Sequence, residues 1–210
     1  MKKLYPYIFI ALAFLFLSSC EDIFDSDQNY KKSLIEDPGK YSNVIQPLSV
    51  GSSWEYGFAA YDDKGSAIAL FKEKRSLLKD TVMEGIQWHT FDSTGNVWLT
   101  NESDGLHSKS VLDSNKGKDF LIIKFPANKG DVFRNLGWTW TVISTDTTVK
   151  VKAGAFKCYR YEAKGEDNSV TNVYYSPGVG FIKQETTIDN EISHLYYTTI
   201  ISELTKYRIK

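Results

Sequence analysis

The sequence predicts an all-β protein, with room for a minor helix, folded as a single domain around a curved antiparallel sheet or half-barrel. Three observations predict it. From Pro47 onward, short runs of β-branched and aromatic residues alternate with clusters of Gly, Asn, Asp and Ser every ten residues or so, and helical periodicity is nearly absent. Aromatic residues make up 14% of the chain, with 13 Tyr, 12 Phe and 5 Trp, a composition that favours strands. The length of 210 residues fits one domain of ordinary size.

In chain order, the first element is an address. Lys2 and Lys3 precede an apolar run from Ile8 to Leu17 that ends in small residues, the pattern of a secretory signal peptide over residues 1–19. The run of about ten residues is too short to span a bilayer. Leu17-Ser18-Ser19-Cys20 resembles the lipobox of bacterial lipoproteins, with Ser19 where Gly or Ala is more usual. The resemblance implies that Cys20 is lipidated and becomes the first residue of the mature chain. Two or more acyl chains hold a protein on a membrane stably, so the domain would be tethered rather than inserted.

Residues 20–45 then read as the lipidated cysteine and a flexible acidic tether, beginning Glu21-Asp22-Ile23-Phe24-Asp25. Acidic residues directly after the cysteine resemble the surface-export signals of Bacteroidota lipoproteins. That implies an outer-membrane protein facing the periplasm or the cell surface; a solvated linker accounts for the acidity equally well.

The β domain is expected over residues 46–210, with strands at 53–61, 67–78, 87–91, 97–100, 106–111, 120–125, 139–145, 148–151, 156–163, 171–175, 181–188 and 192–204. Asp62-Asp63-Lys64-Gly65, Ser93-Thr94-Gly95-Asn96 and Asp189-Asn190-Glu191 carry turn chemistry and read as hairpin connections. The last two strands should therefore pair, and the final one, apolar on both faces near its middle, should lie centrally or be covered on both sides.

The function classes narrow by charge and by missing motifs. With 25 Lys+Arg against 26 Asp+Glu, no net basic field draws nucleic acid. Cys158 is the one cysteine besides Cys20, so unmodified thiols form no intramolecular disulfide. Strand alternation puts Phe156, Cys158 and Arg160 on one face and Lys157, Tyr159 and Tyr161 on the other, which makes Cys158 a small core residue. His89, His107 and His194 are scattered, each an ordinary strand residue, and neither a metal nor a cofactor is expected. Asp113 to Asp119 superficially resembles a calcium loop, but Gly117 is one position early and Lys124 stands where the closing Glu belongs. Without a nucleophile elbow or paired-carboxylate motif, a non-enzyme is expected. Asp80-Thr81-Val82, Asp92-Ser93-Thr94 and Asp146-Thr147-Thr148 resemble the short O-glycosylation sites of Bacteroidota envelope proteins.

Aromatics are the more informative residues. Trp54, Tyr56, Trp88, Trp98, Trp138, Trp140, Tyr174 and Tyr196 either fill the core or line a ligand site. In a half-barrel some would face a cavity for an acyl chain; on a flat exposed face they would stack on sugars.

Three segments carry a family resemblance. Pro47-Leu48-Ser49-Val50-Gly51-Ser52-Ser53-Trp54-Glu55-Tyr56, Val151-Lys152-Ala153-Gly154-Ala155-Phe156-Lys157-Cys158-Tyr159 and Tyr174-Tyr175-Ser176-Pro177-Gly178-Val179-Gly180-Phe181-Ile182-Lys183 are similar, in order and spacing, to segments of a large group of poorly characterised bacterial envelope lipoproteins. The resemblance spans about residues 46–190. It implies a curved antiparallel sheet distantly similar to the half-barrel carriers LolA and LolB, and supplies no catalytic residue. Read directly, Gly154, Gly178 and Gly180 relieve Cβ constraints at turns or bulges, and Pro177 presets φ. The expected role is non-catalytic binding from a lipid anchor, of a hydrophobic ligand or an envelope protein. Its alternatives are a surface carbohydrate-binding or adhesive module and, behind that, an envelope hydrolase.

Overall fold

The computed structural model describes residues 34–35, 41–91, 96–110, 117–135, 138–165, 169–188 and 199–210. Among them are fourteen strands and no helix: β1 (Leu34–Ile35), β2 (Ser53–Tyr61), β3 (Ala67–Ser76), β4 (Lys79–Met83), β5 (Ile86–Thr90), β6 (Val97–Glu102), β7 (Gly105–Ser110), β8 (Asp119–Lys124), β9 (Val132–Asn135), β10 (Trp138–Val151), β11 (Gly154–Lys164), β12 (Val170–Ser176), β13 (Gly180–Thr187) and β14 (Thr199–Ile209). The signal peptide, Cys20, the start of the tether, the Asp189-Asn190-Glu191 turn, His194 and Tyr196 lie outside the described residues.

The expected all-β class holds, as two curved and open sheets in a single domain. The larger runs β3-β2-β14-β13-β12-β11-β10-β9, and the smaller runs β4-β5-β6-β7-β8. Among the described residues every pairing is antiparallel save that of β1, which runs parallel to the end of β14 through Leu34↔Arg208 and Ile35↔Ile209. The strand expected at 192–204 is described from Thr199 and runs on to Ile209 as β14, which is central, bonded to β2 on one side and β13 on the other.

Strict alternation makes β2 what it is: Trp54, Tyr56, Phe58 and Ala60 are buried while the residues between them are half-buried. Its hairpin to β3 is closed by Asp62, whose carboxylate accepts from the amides of Lys64 (3.0 Å) and Ser66 (2.7 Å), and by Gly65 at φ +77°. The main core joins the inner face of the large sheet to Leu106 of β7 and Ile123 of β8. A smaller cluster gathers Phe58, Ala60, Ile188 and Ile200, with Phe71 stacked on Phe58 at 4.3 Å.

Packing of the domain begins ahead of Pro47. Ile45 is 1% exposed, the Tyr41 hydroxyl donates to the Lys210 carbonyl (2.6 Å), and Gln46 ties both sheets together. Its side-chain oxygen accepts from Phe181 N (3.2 Å), and its carbonyl accepts from Asn101 (2.8 Å).

Two sequence expectations need correction. The segments 139–145 and 148–151 are one strand, β10, because register shifts between Val142, Ser144 and Thr147 absorb the Asp146-Thr147 irregularity as bulges instead of a turn. Simple alternation also fails along β11. Phe156 and Cys158 pack on the core at one end, Tyr161 and Ala163 at the other. Arg160 turns outward to Asn172 (2.9 Å). The change of parity falls opposite the β10 bulges, which twist the hairpin.

Candidate functional site

The motif residues are structural. Ser176-Pro177-Gly178-Val179 is a reverse turn between β12 and β13, with Val179 N donating to the Ser176 carbonyl (3.0 Å), Pro177 at the second position and Gly178 at φ +77° in the third. Gly180 has φ +102°, and a Cβ there would lie 2.2 Å from Gln46 Oε1. Trp54 Nε1 donates to the Val179 carbonyl (2.8 Å) and the Tyr56 hydroxyl to that of Phe181 (3.3 Å), so the first and third motif segments lock together. Gly154 turns the β10–β11 hairpin at φ +141°, and the preceding Ala153 N donates to the Leu204 carbonyl (3.2 Å).

The structure places the aromatic candidates mostly inside. Trp54 (0% exposed), Tyr56 (3%) and Trp140 (8%) belong to the main core, with Trp138 half-buried beside it. Trp140 stacks on Phe133, Phe133 meets Tyr161 edge-on, and Tyr161, Tyr175, Phe181 and Tyr56 continue the series across the sheet. Trp88 and Trp98, also buried, lie on the small sheet beneath Lys109 and Lys79 respectively, each 5.6 Å from the ring centroid. Tyr174 is half-buried and donates to Glu185 (3.2 Å), beside the Lys183 ion pairs with Glu185 (3.0 Å) and Glu203 (2.7 Å). The seven candidates among the described residues therefore do not converge on one surface.

Cys158 is fully buried. Burial pushes its thiol up to about 12, which leaves little thiolate for nucleophilic chemistry.

What the domain does present is β3, one of the two terminal strands of the large sheet. Most of its ten residues are exposed. One face carries Leu70 (37% exposed), Lys72 and Lys74, and Ile68 (47%) stands at the bulge where the register with β2 shifts. The other carries Phe71, Glu73 and Arg75, the last gripped by Glu73 through two bonds (2.8 and 2.9 Å) and held 5.1 Å above the Tyr56 ring. Burial works to lower the Arg75 pKa; the Glu73 carboxylate outweighs it and the net direction is upward. Tyr175, against the same guanidinium, is pushed up to about 12 by burial.

A second cluster was invisible in the sequence. Glu102, Asp104 and His107 meet at the tip of the β6–β7 hairpin, and Asp119 of β8 reaches His107 from the neighbouring strand. Burial would lower the His107 pKa, but the hydrogen bonds to Asp104 and Asp119 outweigh it and move it upward.

No family model matches the chain, and no curated protein matches it. Two solved structures are similar to it. One is a candidate lipoprotein from Parabacteroides distasonis ATCC 8503, 12% identical, with a TM-score of 0.45, covering 79% of this chain and 98% of its own. The other is a candidate exported protein with a YmcC-like fold from Bacteroides fragilis NCTC 9343, 13% identical, with a TM-score of 0.37, covering 79% of this chain and 99% of its own.

Proposed function

We propose that this chain is a bacterial envelope lipoprotein, anchored to the outer membrane through Cys20, whose β domain acts by non-catalytic binding of an envelope protein. The observation that carries the reading is the β3 edge. It offers a row of backbone donors and acceptors along ten residues, with Ile68 and Leu70 exposed beside it. Such an edge pairs readily with an extended segment, main-chain bonds supplying affinity and alternate side chains supplying specificity. Lys74 follows Leu70 on the same face, with Ile68 exposed at the bulge before them, so the segment that fits is apolar at one end and acidic at the other. Burial of Trp54, Trp88, Trp98 and Trp140 supports this over sugar stacking, which requires an exposed ring face.

The test is photo-crosslinking in cells, with a photoreactive residue at position 68 or 70 and a control at the exposed Val132. The expected result is one discrete envelope-protein adduct from positions 68 and 70, absent from position 132 and lost when Lys72 and Lys74 are both changed to Glu. Adducts that are absent, or equal at all three positions, contradict the reading.

A further inference from the structure

Glu21-Asp22-Ile23-Phe24-Asp25-Ser26-Asp27 lies outside the described residues, and its sequence has the order of chemistry that β3 asks of a partner, apolar and then acidic. We propose that this segment docks along β3 of its own chain as an added parallel strand, so that the tether occupies the binding edge until a partner displaces it. The inference rests on the reading of β3 as a binding edge and adds its regulation.

Register carries the first part of the argument. In an extended chain Ile23, Asp25 and Asp27 share one face, and Phe24 and Ser26 share the other. β3 presents Leu70, Lys72 and Lys74 on its outer face and Phe71 and Glu73 on its inner one, with no register shift against β2 from Ala69 to Ser76. A single alignment sets Ile23 beside Leu70, Asp25 beside Lys72 and Asp27 beside Lys74. The same alignment sets Phe24 beside the half-buried Phe71, and the neutral Ser26 beside Glu73, whose carboxylate already holds Arg75. Apolar and opposite-charge neighbours across two strands attract, and like charges repel. Sliding the segment by one residue in either direction puts an aspartate beside Glu73; sliding it by two puts Asp25 beside Leu70 or Ile23 beside Lys72. Positive charge is in excess on this face, since Glu55, opposite Lys74 on β2, is shared with Lys206 at 3.8 Å.

Direction and reach carry the second part. Both β14 and β3 pair antiparallel with β2, so they run the same way, and Leu34 stands level with Ser76 through Arg208 and Ser53. A chain that leaves the β3 edge to enter β1 therefore leaves it at the Ser76 end, which makes the docked segment parallel to β3. From a strand added beside β3, Asp27 lies four strand spacings from β1, about 20 Å with its offset along the strand. The chain from Asp27 to Leu34 extends to about 24 Å, enough to cross. Covalent linkage supplies an effective concentration on the order of millimolar, which populates a short edge contact too weak to hold separate molecules together.

The experiment is disulfide trapping in the full chain, extracted in detergent and oxidised, with linked peptides identified by mass spectrometry. Ile23→Cys with Leu70→Cys should link within one chain at least about tenfold more than Phe24→Cys with Leu70→Cys, whose thiols fall on opposite faces. Cys158 is buried and stays out of the exchange. Asp25→Lys with Asp27→Lys should cut the 23–70 yield at least about fivefold, and adding Lys72→Glu with Lys74→Glu should restore it. In the chain with native Leu70, the same tether reversal should speed amide exchange along β3 and not along β12, a readout that carries the test should a cysteine variant fail to fold. In cells the reversal should raise the envelope-protein adduct at position 70 several-fold. Equal 23–70 and 24–70 yields, linkage between chains only, or yield and β3 exchange indifferent to the reversal would overturn the docking. An adduct at position 70 that the reversal leaves unchanged would overturn the competition and spare the partner. A register-specific 23–70 disulfide with no adduct in any variant would remove the partner and leave the docking standing.

Discussion

At Gly180 the backbone has no room for a side chain. A Cβ would meet Gln46 Oε1 at 2.2 Å and impose φ +102° on an L-residue; at Gly65 the conformation is similar but nothing lies within 4 Å. Gly180→Ala should therefore cost at least about 2 kcal/mol, strain plus overpacking, and Gly65→Ala about 1 kcal/mol from strain alone. Urea denaturation of both variants checks this; equal losses would mean that the Gln46 contact is unimportant. His89 offers a pH test. Burial lowers its pKa from 6.5, against a smaller upward pull from Asp80, and its Nδ1 has no partner among the described residues. The unfolded chain thus takes up the proton first as pH falls through about 6.5, so this residue's contribution to stability declines there and levels off below the folded pKa. The stability of the wild type relative to His89→Gln should fall between pH 7.5 and 5, a comparison that cancels the titration of other groups. A difference independent of pH would contradict it.

Elements were legible where local chemistry decides them. Ser53–Tyr61 matches its expected bounds because period-two burial and the Asp62 turn agree. Removing that turn's anchor, Asp62→Ala, deletes two side-chain acceptances and should destabilise the hairpin by about 1 kcal/mol, with faster amide exchange along β3 than along β12. Uniform exchange would place the hairpin's stability elsewhere. Three short strands escaped the sequence reading, the first being Leu34–Ile35, a two-residue pairing inside the expected tether. Lys79–Met83 has an exposed, charged start that does not alternate, and Val132–Asn135 is only four residues long. Reading β10 as two strands had a physical cause too, since polar residues at Ser144 to Thr148 look like a turn until the bulges are seen. Of the candidate sites, the motif glycines and Pro177 were legible because turn geometry is local. The histidine–carboxylate cluster was not, since Asp119 reaches His107 across the β7–β8 pairing and no linear spacing encodes that.

On the scale of the whole molecule, the aromatic content that suggested a ligand cavity is spent largely on packing. The ring series from Trp140 to Tyr56 crosses the large sheet, and the turn at Pro177 closes on Trp54 and Gln46. The candidate binding edge belongs to the large sheet, in a domain tied on this reading to a membrane through one residue. Two or three acyl chains make that attachment effectively stable, whereas an unmodified cysteine contributes almost none of it. The most direct measurement is the intact mass of the protein extracted from native membranes, with fragmentation of its N-terminal peptide. The account predicts a mature chain beginning at Cys20 and carrying diacylglycerol, with or without an additional acyl chain. A chain that keeps Met1, or one cleaved elsewhere with an unmodified cysteine, would contradict it.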